Sequence, residues 1–217
     1  MAGCPISIPS IFCDEQEIRY TLLINMATKE DIITLPNNHL RQKSARVGVI
    51  TPDIKKIITD MQDATIDWEA NRKHEVGVAL AAVQIDKLFR IVIIRNDIED
   101  RDNKEFQLLI NPEITKTEGK LVEDHEGCLS VKDIYGVVPR YEKIKVKAID
   151  INGKPFRITA TGFLARVLQH EIDHNNGTLF IDHIKEQSDK FFRLQPSGKL
   201  EPLDYESEIK NNKDLWG

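Results

Sequence analysis

The residues of this chain whose types and spacing could do chemistry are His170, Glu171 and His174, which form the pattern H-E-x-x-H. On a helix, residues four apart lie on one face, so both histidines can bind the same metal ion. Glu171 then lies beside that ion, where its carboxylate can take a proton from water. The pattern predicts a metal-dependent hydrolase, although a solvated helix with two unrelated histidines would give the same letters.

Two histidines do not complete a catalytic metal site, which needs a third protein ligand. The extended pattern of one class of zinc endopeptidase has a histidine where this chain has Phe180, and His183 comes three residues too late. Glu186 and Glu201 could supply the carboxylate of a second class of zinc endopeptidase, but no pattern marks either one. The third ligand therefore decides between the hydrolase classes.

Two upstream segments contain residue types found in metal and substrate sites. Residues 126–130, E-G-C-L-S, put the lone Cys128 directly after a glycine. Residues 77–84, G-V-A-L-A-A-V-Q, are small and apolar until they end in Gln84. Small residues there would let a substrate backbone approach closely. Taken singly, Cys128 is typical of a small buried side chain and Gln84 of an amide at a strand end.

Together the three motifs resemble those of the peptide deformylase family, which are G-x-G-L-A-A-x-Q, E-G-C-x-S and Q-H-E-x-D-H in this order. The resemblance spans about residues 40 to 185. It implies that Cys128, His170 and His174 bind one divalent metal ion. Ferrous iron is the usual ion of the family, and zinc or nickel are alternatives.

The resemblance also implies a reaction, namely removal of the formyl group from the N-terminal methionine of nascent polypeptides. It assigns the proton transfer to Glu171 and oxyanion stabilisation to Gln84 and the backbone N–H of Leu129. These residue types suit the reaction, because a carboxylate can accept and return a proton. Each hydrogen-bond donor to a developing oxyanion can contribute about 2.7–4 kcal/mol. N-formylmethionyl peptides are the implied partners, and docking on the ribosome is left open.

The substrate pocket is predicted from the residues around these motifs. Phe163 and Val167 precede His170 by seven and three residues, so they share its helix face. With Gly77 and Val78 they are candidates for binding the methionine side chain and the substrate backbone. Ordinary core packing explains Phe163 and Val167 equally well.

Ala79 stands where the family pattern has its second glycine. If the backbone there has positive φ, alanine costs on the order of 1 kcal/mol. If the backbone only has to be slim, the methyl group narrows the substrate groove. A catalytically weak family member that binds formyl-peptides is therefore an alternative, beside a zinc endopeptidase whose third ligand is not Cys128.

The composition excludes several classes of function. With 217 residues, 41% hydrophobic and 30% charged, the chain is typical of a soluble globular protein. With a net charge of −5, the chain lacks the excess of basic residues that is typical of nucleic-acid-binding proteins, so no direct DNA binding is predicted. A negative net charge is still compatible with local basic patches. The sequence contains no run of eighteen apolar residues, so no membrane-spanning helix is predicted.

The N-terminal residues and the number of cysteines both favour a cytoplasmic location. The first residues lack the basic and apolar regions of a secretory signal. Cys4, Cys13 and Cys128 are an odd number without a close-spaced pair, which favours a reducing compartment over a disulfide framework.

The site has to be positioned by elements that the hydrophobic pattern predicts. Thr51 and Pro52 mark a helix start, with a hydroxyl cap and proline at the first helical position. Apolar residues at helical spacing then predict an amphipathic helix to about Arg72. Residues 161–174 also have a helical period and end just before a glycine.

The strands are indicated by β-branched runs and by alternation. Residues 90–95 and 107–110 are short apolar runs typical of buried strands. Residues 143–150 alternate lysine with apolar side chains, and alternation resumes after Asn152-Gly153. This dipeptide predicts a hairpin with a two-residue turn whose residues both have positive φ.

These elements predict an α+β fold in a single domain, 1–217. Antiparallel strands pack around a central helix that carries the H-E-x-x-H, and an amphipathic helix lies nearer the N-terminus. Residues 1–50 are expected to form an irregular lead-in. The polar segment 185–217 is expected to wrap the surface or fray.

Overall fold

The computed structural model describes residues 26–70, 72 and 74–216, and the strands in these ranges form one seven-stranded sheet. All its strand pairs are antiparallel. The strands are β1 (Ala79–Ala81), β2 (Ile91–Arg95), β3 (Phe106–Cys128), β4 (Val131–Ile149), β5 (Pro155–Thr161), β6 (Phe191–Leu194) and β7 (Leu200–Pro202). Their order is β1-β2-β3-β4-β6-β7, and β5 also pairs with β4.

The structure has few helices, which precede or follow the strands along the chain, and this gives an α+β arrangement. They are α1 (Pro52–Ala70), α2 (Gly162–Asn175) and α3 (Lys213–Trp216). Short 3₁₀ turns occur at Lys29–Asp31, Asn38–Arg41, Ala82–Ile85 and Phe180–Ile184, and a π-helical turn at Tyr205–Ile209. None of the helices described is long and apolar enough to cross a membrane.

The two long strands β3 and β4 connect the halves of the sheet. Strand β3 occupies one edge of β4, while β5 and β6 share the other edge. The β5 pairing runs from Lys143 to Ile149, and the β6 pairing from Ile134 to Gly136. Four register shifts interrupt the β3–β4 ladder, and bulges of this kind increase the local twist of a strand pair.

Helix α1 begins as its sequence predicts. The Thr51 hydroxyl accepts a hydrogen bond from the Ile54 backbone N–H at 3.3 Å, which satisfies one of the free donors of the first turn. The buried side chains of the helix pack against β1 and β2: Ile54, Ile57, Ile58, Met61 and Ala64 against Leu80, Ile91 and Ile93. The helix ends at Ala70, slightly earlier than the predicted end near Arg72.

Helix α2 packs against the inner face of β4 and β5. Ala165, Leu168 and Ile172 belong to the same buried cluster as Ile144, Val146 and Ala160. The helix ends at the predicted place, where the Gly177 backbone N–H donates to the His174 carbonyl at 3.1 Å. Gly177 has φ +76°, a conformation that glycine adopts without steric cost.

The β4–β5 hairpin was predicted correctly, but its turn was not. Ile149 pairs with Pro155, and the Asp150 N–H donates to the Lys154 carbonyl at 3.0 Å. Of the two residues predicted at positive φ, only Gly153 has it, at +76°. The Asp150 carboxylate accepts the Asn152 and Lys154 N–H groups, so a side chain stabilises a longer loop than the Asn-Gly dipeptide alone requires.

The expected irregular lead-in holds for residues 26–50, where two 3₁₀ turns and one isolated bridge, Ala45 to Phe89, are the regular features. Residues 1–25 lie outside the described ranges.

The expected surface tail was wrong. Residues 191–202 contribute β6 and β7 to the sheet, and Phe191, Leu203, Ile209 and Leu215 are buried with Phe180. The segment has the polar composition of a tail, but its few apolar side chains pack into a buried cluster with residues distant in sequence, which composition cannot reveal.

Candidate metal centre

The end of β3 and one face of α2 bring three potential metal ligands together. Cys128 is the last residue of β3, and His170 and His174 lie one turn apart on α2. One ligand atom from each lies within 4.8 Å of the others, and the Cys128 Sγ is 3.2 Å from the His174 Nε2. The α2 helix thus presents both imidazoles to the thiol, as the spacing of four predicts.

The glycine before Cys128 is required by a neighbouring ring. Gly127 pairs with Tyr135 across β3 and β4, and the Tyr135 ring covers it. A Cβ atom at Gly127 would lie 2.6 Å from two atoms of this ring, closer than a carbon contact allows. The E-G-C motif therefore contains glycine for packing, so that Tyr135 can lie against the strand.

Glu126 orients the first histidine. Its Oε2 lies 3.0 Å from the His170 Nδ1, so an imidazole that donates a hydrogen bond there presents its Nε2 toward Cys128. Arg140 donates to both carboxylate oxygens at 2.9 and 3.0 Å, and Arg166 to Oε1 at 2.7 Å. Burial alone would raise the pKa of Glu126, but hydrogen bonds from His170 and Arg140 outweigh it and hold the pKa well below its usual range.

Only one of the two arginines that bind Glu126 could be placed near the site from the sequence. Arg166 precedes His170 by four residues, so its position on the same helix face indicates that it points to the site. Arg140 lies on β4 and also binds Asp173 at 2.5 Å, which joins the network to the last turn of α2. Sequence reasoning missed Arg140, because no local spacing relates it to the three motifs.

Glu171 and His174 each have a buried polar atom without a partner in the described part of the chain: Oε2 and Nδ1 respectively. Burial, aided by the charge of Glu126, raises the pKa of Glu171 to about 7. A carboxyl with a pKa near neutral pH is suited to accept and return a proton. Burial and then the nearby His170 lower the pKa of His174, which favours its neutral, metal-binding form.

Gln84 lies beside the cysteine. Its Oε1 accepts the Ala81 N–H at 2.9 Å, which fixes the orientation of the amide. Its Nε2 donates to the Ser130 hydroxyl at 3.2 Å and lies 3.6 Å from the Cys128 Sγ. The amide N–H groups thus face the same space as the metal ligands.

The donor set fits a divalent transition-metal ion. One thiol and two imidazoles are ligands for such ions, and the carboxylate behind His170 is the usual outer support of a metal-bound imidazole. Within the described ranges, this is the one group of three potential ligands close enough to bind an ion. Glu186, Glu201 and His183 are not members of it, so the endopeptidase interpretation finds no third ligand.

The chain is similar to known proteins of one family. The model of the family described as polypeptide deformylase matches residues 29–190. A curated peptide deformylase of Thermomicrobium roseum is 41% identical over 160 residues, which covers 72% of this chain and 86% of the relative. The chain belongs to the polypeptide deformylase family.

Solved structures support the same assignment. A crystal structure of a peptide deformylase from Legionella pneumophila is 42% identical and has a TM-score of 0.63, over 73% of this chain and 85% of that one. A peptide deformylase from Synechococcus elongatus in complex with actinonin is 35% identical with a TM-score of 0.63, over 72% and 80% of the two chains. This deformylase is accordingly a metal-dependent hydrolase that removes the formyl group from the N-terminal formyl-methionine of nascent polypeptides.

The deformylase has a cavity of about 280 Å³ beside the three candidate metal ligands, and Cys128 and His170 are among its lining residues. Of the predicted substrate-binding residues, four line it: Val78, Ala79, Phe163 and Val167. Gln84, Leu129 and Glu171 also face it. Phe163 is 52% exposed, so it lies at the mouth of the cavity, whereas Val167 is buried.

Gly77 is placed differently from the prediction. It is not among the residues that line the cavity, and its backbone N–H and carbonyl bind Glu69 and Arg95 respectively. A Cβ atom there would lie 2.5 Å from the Thr65 Cγ2 on α1. The glycine thus allows the strand segment to approach α1.

The backbone conformation at Ala79 excludes one of the two expected effects of alanine at this position, namely backbone strain. Ala79 pairs with Ile94 in the β1–β2 ladder and is not among the residues with positive φ. Alanine is therefore compatible with the backbone there, and the possible strain at this position is excluded. Ala79 does line the cavity, so the other explanation, that its methyl group narrows the substrate groove, stays a prediction.

Several cavity residues were not predicted at all. Trp68 and His74 precede the first motif, and Glu75 and Tyr135 face each other across the cleft, with the Tyr135 hydroxyl donating to the Glu75 Oε1 at 2.9 Å. They belong to no motif and come from different elements, so the sequence gives no signal that joins them.

Proposed function

We propose that Cys128, His170 and His174 hold the single divalent metal ion of this deformylase, and that the formyl group is hydrolysed there. The convergence of their three ligand atoms within 4.8 Å, beside a cavity, carries the proposal. In this proposal α2 is the central element of the fold, because it supplies both histidines, and the amphipathic helix α1 supports the strand that borders the cavity.

The residues around the ion have distinct roles in this proposal. When bound, the metal supplies Lewis acidity toward water and the formyl carbonyl. Glu171 takes a proton from water and passes it to the departing amine, for which its raised pKa is suited. Gln84 Nε2 and the backbone N–H of Leu129 donate hydrogen bonds to the negative charge that develops on the formyl oxygen.

The cavity binds the methionine of the substrate. Val78, Phe163 and Val167 form an apolar lining that suits a flexible thioether side chain. Ala79 borders the path of the substrate backbone, which can run beside β1. The N-formylmethionyl end of a nascent chain is thereby held with its formyl group next to Glu171.

The ligands alone do not determine which metal ion is bound, because the affinity order of divalent ions does not favour iron. The cellular availability of each ion also decides the metal. We propose ferrous iron as the native ion, with zinc and nickel able to occupy the same ligands. The reaction is assigned to the cytoplasm, where nascent chains are made, and the ribosome is a further candidate partner.

The test of the metal site is Cys128→Ala, with Cys13→Ala as the matched thiol control. Without the thiolate, two imidazoles bind a divalent ion too weakly to retain it through purification. We expect elemental analysis to find one ion per chain in the control and almost none in Cys128→Ala, and formate release from a formyl-Met peptide to fall with it. A full complement of metal in Cys128→Ala would contradict the ligand assignment.

A further inference from the structure

A second and larger groove adjoins the cavity beside the candidate metal ligands. Its volume is about 1020 Å³, against about 280 Å³ for the cavity. Trp68, His74, Glu75 and Leu129 line both spaces, so these four residues form the junction between them. Trp68 and Leu129 are only partly buried, which leaves their side chains within reach of a molecule at the junction. A polypeptide whose first residue lies in the cavity can therefore continue into the groove.

One wall of the groove is built by the β6–β7 hairpin, which lies beyond the family match at residues 29–190. Arg193 and residues 194–196 line the groove from this hairpin. The hairpin turn also contacts the junction, because a Cβ atom at Gly198 would lie 2.9 Å from the His74 Cγ. Gly198 has φ +81°, so the glycine permits both the turn and its close approach to the ring. The family pattern therefore does not specify this wall.

The lining of the groove has more basic than acidic side chains. With His74 neutral, its net charge is +2, in a chain whose total is −5. The charged lining residues are the basic Lys29, Arg72, Lys132 and Arg193 and the acidic Glu75 and Asp133.

Both carboxylates of the groove lie near the same arginine. The Arg72 NH1 is 2.5 Å from the Glu75 Oε2 and 3.9 Å from the Asp133 Oδ1. Glu75 also accepts a hydrogen bond from the Tyr135 hydroxyl at 2.9 Å. Lys132 has no ion-pair partner among the residues that the structure describes. The acidic side chains of the groove therefore balance Arg72 and leave the other basic side chains for a ligand.

Lys29 and Arg193 have acidic neighbours that do not line the groove. Lys29 lies 3.9 Å from Glu30, and Arg193 lies 2.8 Å from Glu208. All four side chains are at least 36% exposed. Ion pairs that are open to solvent in this way are weak, because water screens them. Both basic side chains can therefore also interact with a carboxylate that enters the groove.

We propose that the groove binds the part of the nascent polypeptide that follows the formyl-methionine, and that Lys132 and Arg193 select acidic side chains there. The inference rests on the proposed function, which places the methionine in the adjoining cavity. The second residue of the substrate then lies at the junction, beside Trp68 and Leu129. The third and fourth residues lie in the groove, where an aspartate or glutamate accepts charge-assisted hydrogen bonds from the two basic side chains.

A polypeptide suits this groove better than a small anion does. Ile134 and Leu194 are apolar lining residues, and Ile134 is the cross-strand partner of Arg193. Lysine and arginine can lay their apolar stems along such surface while their charged ends contact a ligand. A peptide offers carboxylates together with apolar stems and so uses both parts of the lining, whereas a free phosphate would use only the charges.

The test measures formate release by the full-length, metal-loaded enzyme from peptides that differ only at their third and fourth residues. The acidic peptide is formyl-Met-Ala-Asp-Asp-Ala, and Asn-Asn and Lys-Lys replace the two aspartates in the neutral and basic peptides. The variant is Lys132→Gln/Arg193→Gln. The control, Lys87→Gln/Arg157→Gln, removes the same charge from exposed positions that do not line the groove.

We expect the wild-type enzyme and the control to have a kcat/KM about three- to tenfold higher for the acidic than for the neutral peptide, as two exposed ion pairs would give. In Lys132→Gln/Arg193→Gln this ratio should fall to about one through a higher KM for the acidic peptide, because the contacts lie away from the reacting atoms. Lys132→Glu should instead favour the basic peptide over the acidic one. The wild-type preference should shrink as salt rises from about 0.01 M to about 1 M, since the Debye length falls about tenfold.

The dipeptide formyl-Met-Ala separates this inference from the proposed function, because it is too short to enter the groove. If the wild-type enzyme releases no formate from it, the proposed function itself is wrong. If it does, equal kcat/KM for the acidic and neutral peptides would overturn the selection of acidic side chains. An equal loss of preference in the control would show a general effect of net charge, and a preference that survives in Lys132→Gln/Arg193→Gln would show that other residues cause it; either result also overturns the proposal.

Discussion

At the scale of single residues, the two carboxylates beside the candidate metal ligands have opposite environments. Glu126 is held ionised by hydrogen bonds from His170 and two arginines, so it fixes an imidazole. Glu171 is buried with one oxygen unpartnered in the described part of the chain, and its pKa is raised to about 7. Environment thus separates a positioning carboxylate from one that can carry a proton.

Glu171→Gln should keep the metal and lose turnover. Glutamine has the same shape but cannot accept a proton, and a general acid–base group typically contributes about 10²–10⁴-fold to the rate. The measurement is formate release from a formyl-Met peptide at matched metal content, with Glu186→Gln as the carboxylate control. A rate near that of the wild-type enzyme would show that another group carries the proton.

Ala79→Gly should change the handling of substrate rather than the metal site. Removing the methyl group widens the cavity beside the substrate backbone, so KM should fall and kcat/KM should rise. Glycine in a strand costs about 0.5–1 kcal/mol relative to alanine, and φ is not positive here, so thermal stability should fall slightly.

The matched control for Ala79→Gly is Ala160→Gly, in β5. Ala160 is buried but does not line the cavity, so its replacement should lower stability and leave KM unchanged. If Ala79→Gly has the same kcat/KM as the wild-type enzyme, the methyl group does not restrict substrate and gives no reason to expect a weakened enzyme.

At the scale of elements, a buried ion pair joins α1 to the strand that borders the cavity. Glu69, near the end of α1, binds the Arg95 guanidinium of β2 at 2.6 Å and the Gly77 N–H at 3.1 Å. The side chains are 4% and 0% exposed. The pair therefore fixes the position of the first motif relative to α1 and β2.

Glu69→Gln should destabilise the protein in a pH-dependent way. Burial by itself raises the pKa of Glu69, but the Gly77 N–H and Arg95 outweigh it and lower the pKa. A carboxyl whose folded pKa is lowered stabilises the fold above its unfolded pKa of about 4.5, and this contribution is lost as the pH falls through the folded pKa. The variant should therefore lose most stability at neutral pH.

We expect a loss of about 3–5 kcal/mol at pH 7, the usual cost of removing one partner from a buried pair, and a smaller loss below pH 4.5. Urea unfolding at several pH values measures it. Glu30→Gln, whose side chain is 70% exposed, is the control and should change stability by less than about 1 kcal/mol. A pH-independent loss in Glu69→Gln would contradict the lowered pKa.

At the scale of the whole molecule, the segment beyond the family match completes the core. The match ends at residue 190, yet Phe191 is 1% exposed and packs with Leu40, Phe180 and Ile184. Strand β6 also pairs with β4 at Ile134–Gly136, close to the Tyr135 ring that covers Gly127. Strand β6 therefore supports the part of β4 whose Tyr135 ring covers Gly127, next to Cys128.

Phe191→Ala should cost about 3–5 kcal/mol of unfolding free energy, because it leaves a cavity in a buried cluster. Phe192→Ala is the matched control, since Phe192 is only partly buried and contacts the exposed His125 ring. Chemical unfolding of both variants measures the difference. Equal losses would show that the C-terminal segment is attached by its strand pairing rather than by its buried side chains.

The sequence by itself predicted the candidate metal ligands, the candidate proton carrier and the helical period of the segment that contains His170 and His174, and it determined the existence of the β4–β5 hairpin. The reason is that these features depend on local spacing: His170 and His174 share a helix face because they are four residues apart, and alternating lysines define a half-exposed strand. The motif at Cys128 then limited the partners that could complete the site.

Only the tertiary structure decided the rest. Arg140 reaches Glu126 and Asp173, Tyr135 covers Gly127, and the segment after residue 190 enters the sheet, all through contacts between residues far apart in sequence. The conformation at Ala79 and the length of the hairpin turn depend on pairing that propensity does not fix.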